Sequence, residues 1–381
     1  MHAPTDFRPR PATRYRGTDI DGPTLAPEGL WVRGNNLNDL IGAVSFEHAL
    51  WQLWFGCPPA AEEIDAVRVR LAAFGADFAR GNACVGATAA VAGAGVDMVF
   101  AAAAGLMRDV GPLAVEVRRT DWDDDFDDLL ACLAGAPHLM CAALATRPAA
   151  DAGASHARRL LDAAGATRRD PVAERVMDAL LVAWHAGFGY ITPTVLVPRC
   201  AIGTGVTLAQ AIAAGFMSSG PLHVGAARAA MHWLQATAGD EVPDAHTDPA
   251  RVRAAVDSAL DEPGTLLSGF GHPLFEQDPR PPHLRALLQE LGAGGRYLSM
   301  YDVACARAAE RKGLHPNIDF ITAAALLDLG IREPRWGVAV GLCARIAAMG
   351  AHAVERRRRP AFGVNGATAR KWLAAVPVGW L

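Results

Sequence analysis

Three short segments rich in glycine and proline interrupt a chain that otherwise reads as helical, and they constrain it more than any other feature. They are Ser219–Gly225 (SGPLHVG), Gly269–Arg280 (GFGHPLFEQDPR) and Leu314–Phe320 (LHPNIDF). Glycine lets a backbone approach a ligand closely, and proline fixes the direction of the chain. Two imidazoles and one carboxylate in such loops could polarise two carbonyl oxygens and remove a carbon-bound proton.

The composition favours an all-α fold. Alanine is abundant and β-branched residues are sparse, which favours helix. With 381 residues, 51% of them hydrophobic, the chain can bury the core of one large domain or of two domains. A net charge of −4 gives no general reason to expect a nucleic acid or an anionic membrane as partner.

The chain carries no sequence signal for export or for a zinc site. The first residues, 1–8, lack the apolar segment of a signal peptide. Seven scattered cysteines without a Cys-x-x-Cys pair argue against zinc and fit a reducing compartment, so a cytoplasmic protein is expected. The most apolar run, 83–106, is mostly alanine and glycine and is interrupted by Asp97, which predicts a buried helix rather than a membrane span.

The three segments, in their order and rough spacing, resemble the citrate synthase family. They are similar to its Gly-Pro-Leu-His-Gly-Gly, Gly-x-Gly-His…Asp-Pro-Arg and Tyr-Pro-Asn-Val-Asp-Phe elements. Residues 30–59 also look like the family's N-terminal signature. The resemblance covers about 30–360. It implies an all-α subunit with a large and a smaller helical domain, an active site in the cleft between them, and a homodimer.

The resemblance also divides the chain. An N-terminal arm with little regular structure is expected over 1–28, the first part of the large domain over 29–224, the small domain over 225–325, and the return of the large domain over 326–381. The local pattern predicts three alanine-rich helices between 60 and 118, broken at Gly81 and Gly111, and a helix over about 208–217. It also predicts a helix beginning at Asp170 and Pro171.

Three residues would carry the chemistry. Asp319 matches the family's base, which removes a proton next to a thioester. His223 matches the donor to the resulting enolate oxygen, and His272 matches the residue that polarises the ketone of the second substrate. Each also has a structural reading, since Asp319 could cap a helix and either histidine could brace a turn.

Three arginines match the family's carboxylate-binding positions. Arg280 ends the Asp-Pro-Arg element, and Arg345 lies on an otherwise apolar helix, where a charge is costly unless it is paired. Arg359 precedes a proline, as in the element that reaches the neighbouring subunit's site, although a solvated basic run is its plain interpretation. Guanidinium groups bind carboxylates in a bidentate fashion, so two such residues imply a di- or tricarboxylate. The resemblance implies an acyl-CoA and a 2-oxo dicarboxylic acid as partners.

The sharpest departure from the family lies before the first segment. The family places a His-x-x-His pair there, whose second histidine helps to hold the ketone oxygen. In this chain His185 matches the first position, but Phe188 occupies the second. A phenyl ring cannot donate a hydrogen bond, so oxaloacetate becomes a doubtful substrate.

Coenzyme A is implied as part of a thioester substrate, with no bound cofactor or metal. Lys312 stands where the family has a lysine that meets a phosphate of coenzyme A, and Phe270 and Gly271 are further expected contacts. By contrast, Glu276 and Gln277 stand where a basic residue is common, which weakens that binding site.

The same sequence features also allow other functions. Citryl-CoA lyase uses the same residues for carbon–carbon cleavage, and the proline after His272 also looks like forms seen among such lyases. A binding or regulatory protein could have kept the fold without turnover. Asp124, Asp125 and Asp128 fit a magnesium-binding pattern of prenyl-diphosphate enzymes, but no second such motif follows, and an acidic helix start explains them more simply.

Overall fold

A computed structural model describes residues 18–107, 122–146, 154–221, 223–239, 247–262, 264 and 266–357, together with positions 367, 370, 371 and 374. The strands are β1 (Asp21–Leu25), β2 (Glu28–Val32) and β3 (Asn35–Asn36). The helices are α1 (Leu37–Leu40), α2 (Phe46–Phe55), α3 (Ala61–Ala79), α4 (Ala83–Gly93), α5 (Met98–Met107), α6 (Trp122–Ala143), α7 (His156–Ala163), α8 (Pro171–Trp184), α9 (Pro193–Ile202), α10 (Leu208–Met217), α11 (Ala226–Ala238), α12 (Pro249–Asp261), α13 (Arg280–Glu290), α14 (Arg296–Lys312), α15 (Ile318–Asp328) and α16 (Arg335–Arg357).

The predicted helical class is confirmed, with one addition at the N-terminus. Strands β1, β2 and β3 form a small antiparallel sheet in that order, in which Asp21 pairs with Val32. The expected arm over 1–28 therefore has regular structure from Asp21 onward. Its sequence, DGPTL, lacks the alternation of apolar and polar residues that predicts a strand, so the sheet is visible only once β2 pairs with it.

Several helix ends lie where their local chemistry predicts them. Ser45 accepts the backbone N–H of His48 at the start of α2, and Gly56 ends that helix in the left-handed conformation at φ 79°. Asp170 accepts the N–H of Ala173 at the start of α8. Helix α10 has the predicted bounds. These ends follow from short-range hydrogen bonds, which is why the sequence alone locates them.

The predicted break at Gly81 is confirmed, but residues 60–107 contain three helices where the predicted breaks at Gly81 and Gly111 give two. The single buried helix expected over 83–106 is wrong, because the chain forms α4 and α5 with a turn between them. Gly95 adopts φ 88° in that turn, and the Asp97 carboxylate accepts the N–H of Val99 at the start of α5. Helix α5 is mostly buried, whereas α4 has only one buried residue. Gly111 lies outside the described residues.

Helix α16 forms the centre of the core. It packs against α6, α8, α9, α10 and α11, and every residue from Trp336 to Val354 is buried. By length and composition α16 and the segment Asp125–Ala143 could each span a bilayer, but 100% and 67% of their apolar windows are buried inside the protein, as in an ordinary core helix. The burial of α16 places Arg345 and His352 deep in the molecule.

A second layer of helices lies beside this core. Helix α11 packs on α15, α12 on α14, and α14 on α15. Helices α11 and α15 also contact α16, and α13 and α15 contact α8. The predicted domain boundaries at 225 and 325 stay a prediction, but the three glycine- and proline-rich segments all lie where this layer meets α8 and α16.

The acidic segment of α6 has a structural role in the described part of the chain. Asp125 is buried, and its Oδ1 accepts a hydrogen bond from Arg357 Nη1 at 2.7 Å. Among the described residues no group of three histidine, cysteine or acidic side chains could hold a metal ion. The magnesium interpretation of Asp124, Asp125 and Asp128 therefore gains no support from the structure.

Candidate active site

The carboxyl end of α8 brings two arginines together. Arg345 Nε donates to the carbonyl oxygen of Trp184 at 3.0 Å, and Arg280 Nη1 donates to that of Ala183 at 3.4 Å. The last carbonyls of a helix have no partner within the helix and carry its negative dipole end, which favours cations. The last turn of α8 thus binds two guanidinium groups through its carbonyl oxygens and contains no acidic residue.

Arg280 forms an ion pair with a carboxylate two residues earlier in the chain. Its Nε and Nη2 donate to Asp278 Oδ1 and Oδ2 at 2.9 and 2.8 Å, and both residues are buried. Asp278 also accepts the N–H of Ile318 at 3.1 Å. Burial would raise the pKa of Asp278, but the guanidinium of Arg280 keeps it below its usual value. This ion pair joins the second segment to the start of α15.

Arg345 is a buried cation without such a partner. No carboxylate lies within 4 Å of its guanidinium in the described part of the chain, and its Nη1 is 3.5 Å from Thr192 Oγ1. Burial, followed by the neighbouring charge of Arg280, lowers its pKa to about 10. A buried charge without a counterion is costly, so this side chain is suited to receive an anion.

His185 caps α8 at the same end. Its Nδ1 lies 2.6 Å from the Val182 carbonyl, so Nδ1 carries the proton and Nε2 carries a lone pair. Nε2 is buried and has no hydrogen-bond partner among the described residues. Burial lowers the pKa of His185 to about 4. In its neutral form this imidazole can accept a hydrogen bond from a ligand, but it cannot donate one from Nε2.

The second and third segments are joined by backbone hydrogen bonds. Gly271 N–H donates to the His315 carbonyl and Asn317 N–H to the Gly269 carbonyl, both at 2.8 Å. Gly269 adopts φ 87°, and a Cβ there would lie 2.7 Å from the Cβ of Phe320. Only glycine fits this position. The loop that carries His272 is thereby held against the start of the helix that carries Asp319.

Asp319 lies in the first turn of α15 with one carboxylate oxygen, Oδ1, that has no hydrogen-bond partner among the described residues. The backbone N–H of Ala227, at the start of α11, also reaches this carboxylate. Burial raises the pKa of Asp319 to about 7, because the opposing charges of Arg280 and Arg345 only partly offset it. A carboxylate with a pKa near neutrality and an open oxygen has the properties of a general base.

His223 lies in the turn that precedes α11. Its backbone N–H donates to the Gly220 carbonyl at 3.0 Å, and its Nε2 is 3.4 Å from Thr194 Oγ1. Burial, followed by the charge of Arg345, lowers its pKa to about 4. At neutral pH the imidazole is therefore uncharged and can act as a hydrogen-bond donor through one nitrogen.

His272 is held in one tautomer by its own loop. Its Nδ1 accepts the backbone N–H groups of Leu274 and Phe275, each at 3.2 Å, which leaves the proton on Nε2. Burial lowers its pKa below the usual value. Its ring stacks on Phe275 with centroids 4.8 Å apart and on Phe188 with centroids 5.5 Å apart. The geometry presents a neutral imidazole whose Nε2–H is available for donation.

Phe188 is part of the wall of the site. It adopts φ 59°, an uncommon conformation for a bulky residue, and is buried. Besides stacking on His272, its ring lies 4.9 Å from the guanidinium carbon of Arg280. The residue at which the sequence departs from the family pattern thus contacts two candidate site residues directly.

Comparison with known proteins now adds to this geometry. The family model for the citrate synthase C-terminal domain matches residues 7–362, most of the chain. The chain belongs to the citrate synthase family. It is 28% identical over 317 residues to citrate synthase of Haloferax volcanii, covering 78% of each chain. It is 30% identical over 161 residues to 2-methylcitrate synthase 2 of Corynebacterium glutamicum, covering 40% of this chain and 39% of that one.

Solved structures of citrate synthases share the fold. That from Pyrobaculum aerophilum has a TM-score of 0.70 at 20% identity, covering 90% of this chain and 86% of the other. The Thermoplasma acidophilum enzyme, solved as a ternary complex with carboxymethyl coenzyme A and oxaloacetate, has a TM-score of 0.69 at 17% identity, covering 94% and 92%. The all-α architecture is therefore that of citrate synthases, and the chain is a citrate-synthase-like acyltransferase.

The side of the site expected to meet coenzyme A is more open. Lys312 is exposed in the last turn of α14, and Phe270 packs on Phe320 with ring centroids 4.7 Å apart. The backbone N–H groups of Glu276 and Gln277 donate to the Glu28 carboxylate at 2.7 and 3.3 Å. The roles of Lys312, Phe270 and Gly271 stay predictions, and Arg359 lies outside the described residues.

Sequence reasoning missed three residues that contact this citrate-synthase-like site. Thr192 and Thr194 approach Arg345 and His223, but a threonine on a helix start is usually a cap. Asp21 binds the backbone on both sides of Phe188 from a strand 166 and 168 positions away in sequence. Only a search for buried acidic residues in the N-terminal segment could have identified it, and no local pattern marks it.

Proposed function

We propose that this citrate-synthase-like enzyme condenses an acyl-CoA with a 2-oxo dicarboxylic acid, using Asp319 as the base and His223 and His272 as hydrogen-bond donors. The observation that carries the proposal is Asp319, a buried carboxylate whose pKa is raised to about 7 and whose Oδ1 has no partner among the described residues. A structural helix cap would instead have its oxygens occupied and its pKa lowered.

The steps follow from the protonation states of these groups. Asp319 takes a proton from the carbon next to the thioester, and the electron pair of that C–H bond forms the enolate. The developing negative charge on the thioester oxygen accepts a hydrogen bond from neutral His223. The enolate carbon then attacks the ketone carbon, whose oxygen is polarised by the Nε2–H of His272. Hydrolysis of the thioester releases coenzyme A.

The arginines suit the carboxylates of the second substrate. Arg345 is buried, keeps its charge and has no carboxylate partner in the described part of the chain. Arg280 is already paired with Asp278 through Nε and Nη2. Its Nη1, beside the end of α8, is therefore the nitrogen best placed to bind a substrate carboxylate. We therefore assign the principal substrate carboxylate to Arg345 and the support of a second one to Arg280.

Phe188 distinguishes among the possible substrates. Relatives include enzymes named citrate synthase and 2-methylcitrate synthase, and the Thermoplasma neighbour binds oxaloacetate. In this chain an apolar ring, stacked on His272, stands where a further donor to the ketone oxygen is expected. We propose slow turnover of oxaloacetate with acetyl-CoA, and faster turnover of a 2-oxo acid that carries an apolar group.

We also propose that two copies of the chain associate and that the protein is cytoplasmic. Helix α4 is composed almost entirely of alanine, glycine and valine, yet Thr88 is its only buried residue. Ile191, Leu196 and Met217 are also large exposed apolar residues, with 52%, 42% and 53% of their surface accessible. Covering these apolar surfaces would favour a second copy. The seven cysteines, all within the described residues, form no disulfide, which fits a reducing compartment.

A thiol-release assay tests the condensation. The protein is mixed with acetyl-CoA or propionyl-CoA and each member of a panel of 2-oxo acids, and free coenzyme A is measured beside cleavage of citryl-CoA. Acceptor-dependent thiol release that disappears in Asp319→Asn is expected. Cleavage of citryl-CoA without any condensation would favour the lyase, and no reaction in either direction would leave only a binding protein.

A further inference from the structure

The carboxylate of Asp21 binds the backbone on both sides of Phe188. Its Oδ2 accepts the N–H of Gly187 and its Oδ1 the N–H of Gly189, each at 2.5 Å. Oδ1 also lies 3.1 Å from Nε2 of His352. Asp21 is fully buried, and these donors keep its pKa below the usual value despite burial. Three donors therefore hold one carboxylate in one orientation.

The tautomer of His352 fits this arrangement. Arg199 Nη1 can only donate, and it lies 3.2 Å from Nδ1 of His352, so Nδ1 is the acceptor. The proton is then on Nε2 and points at Asp21. Arg199 Nη1 is itself 2.6 Å from the Glu355 carboxylate, which also accepts the N–H of Asp19 at 3.0 Å. The first described residues of the chain are thereby joined to α16 behind Asp21.

The segment that Asp21 holds has little freedom to move. A Cβ on Gly187 would lie 2.9 Å from Val195 and 3.1 Å from Ala348, so the backbone there lies close to α9 and α16. Phe188, between the two bound amides, is held at φ 59°, a left-handed conformation that is strained for a bulky side chain. Two hydrogen bonds to a carboxylate offset that strain. Without them we expect the residue to leave the left-handed conformation.

The orientation of Phe188 matters because of what its ring contacts. The ring of Phe188 stacks on His272 at an interplanar angle of 28°. The guanidinium carbon of Arg280 also lies over this ring, 4.9 Å from its centroid. A change of backbone conformation at 188 would move the ring away from both groups. The Nε2–H of His272 would then lose one of the two aromatic surfaces that fix its direction.

We infer that Asp21 is a positioning residue of the active site, which acts through Phe188 on His272. This inference rests on the proposed role of His272. It differs from a purely structural role, in which Asp21 would stabilise the fold and leave the site unaffected. Asparagine at position 21 could not replace the aspartate, because its side-chain NH2 group would face at least one of the three hydrogen-bond donors that Asp21 binds.

The chain offers a matched control for the loss of such a carboxylate. Asp328 accepts the backbone N–H groups of Tyr297 and Leu298 at 2.9 and 2.8 Å, at the start of α14 and away from the proposed site residues. Asp21→Asn and Asp328→Asn therefore remove the same kind of interaction. Both should lower the melting temperature, whereas only Asp21→Asn should change the site.

The first experiment is a kinetic cycle with Asp21→Asn, Phe188→Ala, the double variant and Asp328→Asn. We expect Asp21→Asn to lower kcat/KM for the 2-oxo acid by about 10- to 100-fold, the effect of a displacement of about 1 Å in a site, and Asp328→Asn to change it less than about twofold. In the Phe188→Ala background, Asp21→Asn should lose most of its kinetic effect and keep its thermal effect. Equal kinetics for the two asparagine variants, or a full effect without Phe188, would overturn the inference.

A second measurement does not require turnover. In protein with labelled histidine, the ring proton signals of His272, assigned with His272→Gln, report the ring of Phe188 stacked upon it. Asp21→Asn should shift these signals and Asp328→Asn should leave them in place. If the wild type released no thiol but the signals still moved, the proposed function would fail and the positioning role would stand. Unmoved signals would refute the positioning role alone.

Discussion

Two buried aspartates near the candidate active site show how differently one residue type can be used. Asp21 accepts hydrogen bonds from two amides and has an imidazole at 3.1 Å, and its pKa is lowered. Asp319 is equally buried, but its Oδ1 has no partner among the described residues and its pKa is raised to about 7. Burial raises both pKa values, but at Asp21 the imidazole of His352 and the two amides outweigh it, whereas at Asp319 burial prevails.

The contrast extends to the surroundings of each residue. The partners Gly187, Gly189 and His352 occupy both carboxylate oxygens of Asp21. In the same site Asp319 Oδ1 and His185 Nε2 have no hydrogen-bond partner, and Arg345 has no carboxylate within 4 Å, among the described residues. Polar groups whose hydrogen bonds are all made within the protein fix the geometry of a site. Polar groups that lack a partner are the ones to which a ligand can bind. Each of the following predictions tests one part of this contrast.

The largest effect is expected from Asp319→Asn. Asparagine is nearly isosteric but cannot take up the proton, so exchange of the acyl-CoA methyl protons should fall by at least about two orders of magnitude, the scale of general base catalysis. Deuterium incorporation into acetyl-CoA, followed by NMR, measures this step. Asp328→Asn is the control and should retain exchange. Undiminished exchange in Asp319→Asn would remove Asp319 from the role of base.

The second prediction concerns stability and pH. The pKa of Asp319 is raised from 3.8 to about 7, so between these values the folded protein holds a proton that the unfolded chain has lost. Stability from this group is complete below pH 4, declines as pH rises to about 7 and is constant above. The total is at most about 4 kcal/mol at 1.36 kcal/mol per pKa unit.

The variant Asp319→Asn isolates that contribution, since its side chain does not titrate. Its free energy of unfolding should rise relative to that of the wild type as the pH increases from 4 to 8, as measured by denaturant titration at each pH. Asp21→Asn should differ from the wild type by a constant amount over this range, because the folded pKa of Asp21 is lowered below 3.8 and the wild type loses the stability due to Asp21 only as the pH falls below about 4. A difference between wild type and Asp319→Asn that is independent of pH would contradict the raised pKa.

The third prediction tests the buried guanidinium between the two aspartates. Arg345→Ala should raise the KM for the 2-oxo acid far more than that for the acyl-CoA, because it removes a charge-assisted pair worth about 2–4 kcal/mol in a closed site. Arg335→Ala, at the start of the same helix and paired with Glu333, is the control. An equal rise in both KM values would indicate that Arg345 serves packing alone.

The smallest effect is expected from Phe188→His. A histidine tolerates a positive φ better than most residues and could donate to the ketone oxygen. We expect kcat/KM for oxaloacetate to rise about tenfold, less than the 10²–10³ of an oxyanion donor in an evolved site. Phe188→Leu, which cannot donate, should give no gain. If the wild type already turns over oxaloacetate near 10 per second, a common enzyme rate, Phe188 does not set specificity.

The candidate site residues could be proposed from the sequence where chemistry and structure are local, and their roles stay predictions. His223, His272 and Asp319 lie in short segments with glycine or proline beside them, and helix ends such as Asp170 and Gly56 depend on hydrogen bonds within a few residues. The cost of a lone arginine on an apolar helix also pointed to Arg345, which is buried without a carboxylate in the described chain.

What the sequence could not show depends on distant partners or on protonation. Nothing near Asp21 indicates that its carboxylate binds residues 187 and 189. The tautomer of His185 follows from the distance between its Nδ1 and the Val182 carbonyl oxygen, and the sequence gives no such distance. The strand at 21–25 exists because β2 pairs with it, and the division of 83–106 into two helices depends on the turn at Gly95.

The hydrogen bonds behind Asp21 have a consequence for how the protein is made. Asp21 and His352 are 331 positions apart, and Thr18 and Glu355 are 337 apart, so one partner of each pair leaves the ribosome long before the other. Closing such long loops carries an entropic cost, and contacts of this span form late in folding. A growing chain can bind Gly187 and Gly189 through Asp21, but it completes the support of Phe188 only when α16 has been synthesised. An incomplete chain of this protein should therefore lack an ordered active site.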